Sequence, residues 1–279
     1  MEHVKKIKYP ILLVHGMGFR DRFFFNYWGR IPKMLKKRGS IVFYGKQDAN
    51  GTIENNAKQL KKRIEKIKDK TGYEKFHIIA HSKGGLDSRY MISSLDMGDA
   101  ILSLTTISTP HHGSKTIDKI LKIPKFLLKF FCFWVDIIMW IFGDKSPKTY
   151  KAITSFSTKQ AEIFNERNID NLSTYYQSYA FVMKRDLFMW LSNSVIKKIE
   201  GENDGLVTPE SAKWANFKGV IRSNSKRGIS HCDEVDLRRR RFTKKQGDGI
   251  CDILELYNRI LNDLIDIEIQ LESTEKVAP

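Results

Sequence analysis

The chain is short of acid. It carries 32 Asp and Glu against 48 Lys and Arg, a formal net charge of +16 over 279 residues. Such an excess favours anionic partners, either lipid head groups or nucleic acid. No DNA- or RNA-binding motif accompanies it, so nucleic acid is not expected. Cysteine is scarce too. Cys132, Cys232 and Cys251 show no metal-ligand spacing, and an odd count predicts reduced thiols and an intracellular setting. There is no internal repeat, low-complexity block or Pro/Gly linker, so residues 1–279 read as a single domain. Residues 1–9 are charged and run into an apolar stretch too short for a signal peptide, with no cleavage site. The expectation is a cytoplasmic protein. No nucleotide or redox cofactor motif occurs, and no cofactor is expected to be required.

What the chain does have is an apolar share of 41%, enough for a large core. Its organising stretch is residues 76–85, FHIIAHSKGG. An apolar, β-branched run breaks into Ser-Lys-Gly-Gly, and helical spacing resumes with Leu86, Tyr90 and Met91. A strand, a sharp turn and a helix form the context of a nucleophile elbow, here Ala80-x-Ser82-x-Gly84. Small residues around the serine let strand and helix approach closely. Alone, the pattern is equally a helix N-terminus capped by Ser82.

Strand candidates fall at residues 10–15, 40–44, 76–81, 102–108, 174–181 and 219–222. Helical spacing covers 23–37, 53–70, 86–94, 156–167 and 250–271, with a short helix after Pro209. This alternation predicts a mostly parallel central sheet flanked by helices. Such sheets place their sites at the strands' carboxyl ends. Ser82 lies at one such end and His15-Gly16-Met17-Gly18 at another, where turning backbone can aim N–H donors into a cleft.

A serine nucleophile needs a base, and the base an orienting carboxylate. The chain order Ser, acid, His is expected on a sheet of this kind. Three histidines follow Ser82. His111 and His112 come before any plausible acid and read as structural or lid-supporting. His231 sits where the order requires a base. Between them Asp204, in Asn203-Asp204-Gly205, is the foremost acid candidate, with Asp186 and Glu202 as competitors. The run Arg238 to Arg241, followed by Lys244 and Lys245, reads as a solvated loop.

Taken together, YPILLVHG (9–16), AHSKGGLDSRY (80–90), TTISTPHHGS (105–114), NDGLV (203–207) and SHCDEV (230–235) resemble the bacterial triacylglycerol lipases of family I. The resemblance implies an α/β-hydrolase fold, a Ser82–His231–Asp204 triad, and an oxyanion hole from the N–H groups of Met17 and Lys83. The implied activity is lipase or esterase action on lipid esters. An acyltransferase, a lysophospholipase or a non-catalytic membrane-docking protein are the alternatives. Ala80 departs from the commoner glycine. The family often binds a structural calcium beside its histidine, and Asp233 matches one ligand. Asp186 is the only nearby choice for a second, and adjacent arginines disfavour a dication.

Residues 117–143 are the most apolar stretch. Read as a helix, Lys125, Lys129, Cys132 and Asp136 form one narrow polar stripe, and Phe and Trp fill the rest. Lys129 and Asp136 interrupt a run that barely reaches spanning length, which disfavours a transmembrane helix. A face this apolar needs cover from the active-site cleft, a membrane or a second subunit. Its position implies a lid insertion, 115–150, closing over Ser82 and opening onto an anionic lipid surface. A core helix is the plainer reading.

Overall fold

The computed structural model describes residues 6–20, 26–244 and 249–277. Six strands form one parallel sheet in the order β2-β1-β3-β4-β5-β6. They are β1 (Ile11–Val14), β2 (Val42–Tyr44), β3 (Phe76–His81), β4 (Ile101–Ile107), β5 (Tyr175–Phe181) and β6 (Asn216–Ile221). β1, β3 and β4 are buried throughout, as their near-continuous apolar sequences require of strands covered on both faces.

Alternate residues of each strand feed two cores. On one face Ile11, Leu13, Ile79 and Ile107 pack under α1 (Ile31–Lys37) and the closing helix α10 (Ile253–Val277). On the other, Leu12, Val14, Ile78 and Ala80 meet α2 (Ile53–Thr71) and α3 (Lys83–Ser94). α2 starts at Thr52, whose side chain accepts from Asn55 N–H, and ends at left-handed Gly72.

The remaining helices are α4 (Lys115–Ile120), α5 (Lys125–Ile141), α6 (Thr149–Thr154), α7 (Thr158–Arg167), α8 (Trp190–Ile199) and α9 (Pro209–Ala212). α1 begins later than the spacing predicts, because residues 27–30 turn through Gly29 at φ 49°. Phe23 and Phe24 of that predicted helix lie outside the described residues. The helix expected over 156–167 starts at Thr158, where Ser157 caps it by accepting from Gln160 N–H. α8 was not foreseen. Its inward face carries buried Asn193 and Ile196 while Trp190, Leu191 and Val195 are exposed, so apolar residues alone do not mark the side that packs.

In α5, Cys132 and Asp136 of the polar stripe face the protein, and the apolar surface faces out. Cys132 is buried, Asp136 Oδ1 accepts from Thr149 N–H at 2.7 Å, and Lys129 lies over the Tyr150 ring. Phe126 is 70% exposed and Trp140 66%. Among the described residues no helix is long and apolar enough to cross a membrane.

Candidate active site

Ser82 is the hinge between β3 and α3. Its backbone sits at φ 52°, ψ −130°, which costs a non-glycine residue on the order of 1–3 kcal/mol. Two bonds fix it there. Its N–H donates to the Ile107 carbonyl at 2.8 Å, and its carbonyl accepts from Thr109 Oγ1 at 2.8 Å. A Cβ at Gly84 would lie 2.5 Å from the His15 carbonyl oxygen. α3 therefore presses on the end of β1 as closely as the motif demands. Ala80 is fully buried, and its methyl group is accommodated.

Asp204 and His231 come together at the carboxyl end of the sheet. Asp204 is fully buried. Its Oδ1 accepts from Leu206 and Val207 N–H, both at 2.8 Å, and its Oδ2 lies 2.8 Å from His231 Nδ1. A backbone bond from His231 N–H to the Asp204 carbonyl, also 2.8 Å, locks the two loops together. Burial alone would raise the Asp204 pKa. The charge and hydrogen bond of His231, with hydrogen bonds from Glu234 and the Val207 N–H, hold it below the ordinary carboxylate range.

Ser82 and His231 line one cavity of about 400 Å³. Met17 lines it too, and Lys83 is the first residue of α3. Ile117, Ile153, Phe156, Phe188, Met189 and Leu206 make its wall apolar. Ile117 belongs to α4 and Ile153 to α6; among the described residues α5 contributes none of the lining. The helices flanking α5, rather than its aromatic face, border Ser82.

Two participants were not foreseen. Glu234, fully buried, puts Oε2 3.8 Å from His231 Nδ1 and 3.2 Å from His81 Nε2. Burial, then the Asp204 charge beside it, push its carboxyl well above the ordinary range, so of the two carboxyls it is the one that holds a proton more readily. The His81 ring lies 4.3 Å from that of His231, with Nδ1 2.6 Å from the Tyr27 hydroxyl. Burial lowers the His81 pKa well below its ordinary value, which disfavours the charged ring. The available signal was Glu234 three residues after His231, inside a motif read for its histidine and aspartate. The His81, His231 and Glu234 ligand atoms lie within 4.8 Å of one another. They are engaged in these mutual contacts and with Asp204.

The other candidates have different partners. His111 is buried between Thr106 and Arg89 and stacks on Trp214, and His112 bonds the Lys213 carbonyl. Glu202 pairs with Arg222 at the surface. Asp186 meets Asp233, not His231. Arg238 and Arg240 reach both carboxylates, so alternate members of the arginine run turn inward instead of forming a solvated loop. Lys245, at the end of that basic stretch, lies outside the described residues.

Residues 10–235 match the model of the palmitoyl protein thioesterase family. Triacylglycerol lipase 2 of Saccharomyces cerevisiae is 31% identical over 258 residues, covering 86% of this chain and 73% of that protein. Among solved structures, the Staphylococcus hyicus lipase matches with a TM-score of 0.67 at 17% identity, covering 94% of this chain and 96% of its own. The mature Bacillus licheniformis lipase BlEst2 matches with a TM-score of 0.64 at 22% identity, covering 85% and 90%. These two likenesses speak for the fold. With a parallel sheet, a serine elbow and this family match in agreement, the chain belongs to the palmitoyl protein thioesterase family, has the α/β-hydrolase fold of bacterial lipases, and is a carboxylic ester hydrolase.

Proposed function

We propose that the chain hydrolyses carboxylic esters of lipids by a Ser82–His231–Asp204 triad and an acyl-enzyme. The observation that carries this reading is the 2.8 Å bond between buried Asp204 and His231, whose ring shares an apolar cavity with a strained Ser82. His231 Nε2 takes the Ser82 proton as Oγ attacks the ester carbonyl. The developing oxyanion is received by the N–H groups of Met17 and Lys83, the latter at the positive end of α3. His231 then protonates the leaving alcohol, and a water repeats the sequence in reverse to free the acid. Asp204 holds the imidazole in the tautomer with its proton on Nδ1. Neutral Glu234 leaves one negative charge beside that ring.

The apolar wall suits an acyl chain. The outward face of α5 suits a lipid surface, because Lys119, Lys122, Lys125, Lys145 and Lys148 are exposed around it, as interfacial helices require. The three free thiols fit a reducing cytoplasm. The decisive experiment combines intact-mass analysis after fluorophosphonate treatment with p-nitrophenyl esters of rising chain length. One adduct on Ser82 and hydrolysis that improves with chain length are expected. A folded protein with no adduct would favour the non-catalytic membrane-docking alternative.

A further inference from the structure

The two aspartates beside the histidine loop are closed by arginine. Asp233 stands two residues after His231, and Asp186 lies in the loop after β5 that carries the cavity residues Phe188 and Met189. Both are buried. Arg238 Nη1 and Nη2 donate to the two Asp186 oxygens at 2.8 and 2.7 Å. Its Nε donates to Asp233 Oδ1 at 2.9 Å, and Nη2 also reaches Asp233 Oδ2 and Ser230 Oγ. Arg240 Nη2 bridges Asp186 Oδ2 at 2.6 Å and Asp233 Oδ2 at 3.1 Å. Every oxygen of the pair therefore accepts from a guanidinium. Ser230 N–H and Oγ complete Asp233 Oδ2, and Phe188 N–H completes Asp186 Oδ1.

This donor set does not fit calcium. The ion needs roughly six to eight oxygens with free lone pairs, and here those lone pairs point at N–H groups. Two guanidinium charges balance two carboxylates, as one dication would. A planar guanidinium fork also fixes direction as well as distance. We infer that Arg238 and Arg240 do the work of a structural calcium ion, fastening the His231 loop to the cavity wall so that the base is positioned without metal. Both are positioning residues. The inference rests on His231 being the base, while its thermal test does not.

The test compares full-length wild type with Arg238→Ala/Arg240→Ala, in EDTA and across a calcium chloride titration. Melting temperature is read beside kcat and KM on a soluble short ester. The wild-type melting temperature is expected to shift by less than about 1 °C between the two conditions, because no calcium binds the folded state in preference to the unfolded. The double variant should lose roughly 10–100-fold in kcat with KM nearly constant. Calcium should restore its melting temperature and its kcat along one saturable curve, and adding Asp186→Asn should abolish that rescue. If the double variant does not fold, Arg240→Ser, which keeps the Arg238 fork, should show a smaller loss and a smaller calcium response. A calcium-reversible fall of the wild-type melting temperature in EDTA overturns the inference. So does a folded variant whose melting temperature ignores calcium. If no ester is hydrolysed at all, the function reading fails while the melting curves still decide this point.

Discussion

Asp136, in the middle of the most apolar helix of the chain, accepts a hydrogen bond from the backbone N–H of Thr149 at 2.7 Å. That bond, with buried Cys132, turns the polar stripe of α5 inward and commits its aromatic side to the exterior. Replacing Phe130, Phe131, Trp134 and Ile138 with serine should therefore leave the melting temperature nearly unchanged, since these side chains are 46–67% exposed. Activity on vesicles or emulsions should fall about 10-fold or more, while hydrolysis of a soluble short ester holds. Flotation with anionic vesicles and the ratio of the two activities measure this. Equal loss on both substrates in a folded protein would assign the stripe to the acyl pocket, and a dimer-to-monomer change would assign it to self-association.

Ser82→Ala and His231→Ala should each lower kcat by ~10⁴-fold or more, with the double variant little worse than either. Asp204→Asn should be milder, because the Glu234 carboxyl lies 3.8 Å from the same imidazole nitrogen. Glu234→Gln should stay within about 10-fold of wild type, since a neutral amide replaces a neutral acid. Single-turnover kinetics on a p-nitrophenyl ester test all five variants. Full activity in Asp204→Asn with loss in Asp186→Asn would move the acid role to Asp186.

Gly16→Ala should separate the site from the scaffold. The added Cβ would lie 2.8 Å from Ser82 Cβ and 2.9 Å from the Tyr27 hydroxyl. A displaced nucleophile predicts a kcat loss of ~10²-fold. Gly72→Ala, strained at φ 74° but far from the cavity, should cost about 1 kcal/mol of stability and leave kcat alone. If both variants lose stability and activity in parallel, the effect of Gly16→Ala is on folding and not on the serine.

Acid should unfold the protein early. Burial, partly offset by the Gly16 and Gln47 carbonyls, lowers His15 to about 4, and burial drives His81 and His111 well below their usual value. Each binds its proton more readily unfolded than folded. For His15 the stability is thus present above about pH 6.5 and lost as pH falls toward 4, on the order of 2 kcal/mol by about pH 5, and His81 and His111 act in the same direction. Asp87 and Glu234 oppose them, because burial raises Asp87 to about 6 and burial with the Asp204 charge raises Glu234 well above its usual value, so both gain stabilising protonation in the fold as pH falls. Urea midpoints between pH 7 and about 5 should fall on balance. A flat profile would show that these imidazoles accept protons within the fold.

Much of the candidate site's geometry was legible because its sequence signals are local. Ser82 is announced by small residues at a strand end, Asp204 by an Asp-Gly turn, and His231 by chain order. Side-chain partnerships between distant loops were not. Asp186 and Asp233 were linked only through the family's calcium site, and the arginine run reads as surface until its alternate members turn inward. α5 shows a related limit. Periodicity located its polar stripe but could not say which side faced the protein, since that rests on Thr149 and Tyr150 beyond the helix.

The sharing of one core by β1 and α10 also bears on how the protein is made. Ile11 and Leu13 are synthesised about 240 residues before Ile253, Tyr257 and Leu264, yet they bury one another's surroundings in a single cluster. At ~5–20 residues per second, that face of the nascent sheet stays uncovered for tens of seconds. The Ser82 turn is translated early in that interval. The strain at φ 52° has to be held by the finished fold, so newborn chains should gain a reactive serine only after the ribosome has let go of α10. Premature termination before that helix would then yield a sticky, inactive product and not a weaker enzyme.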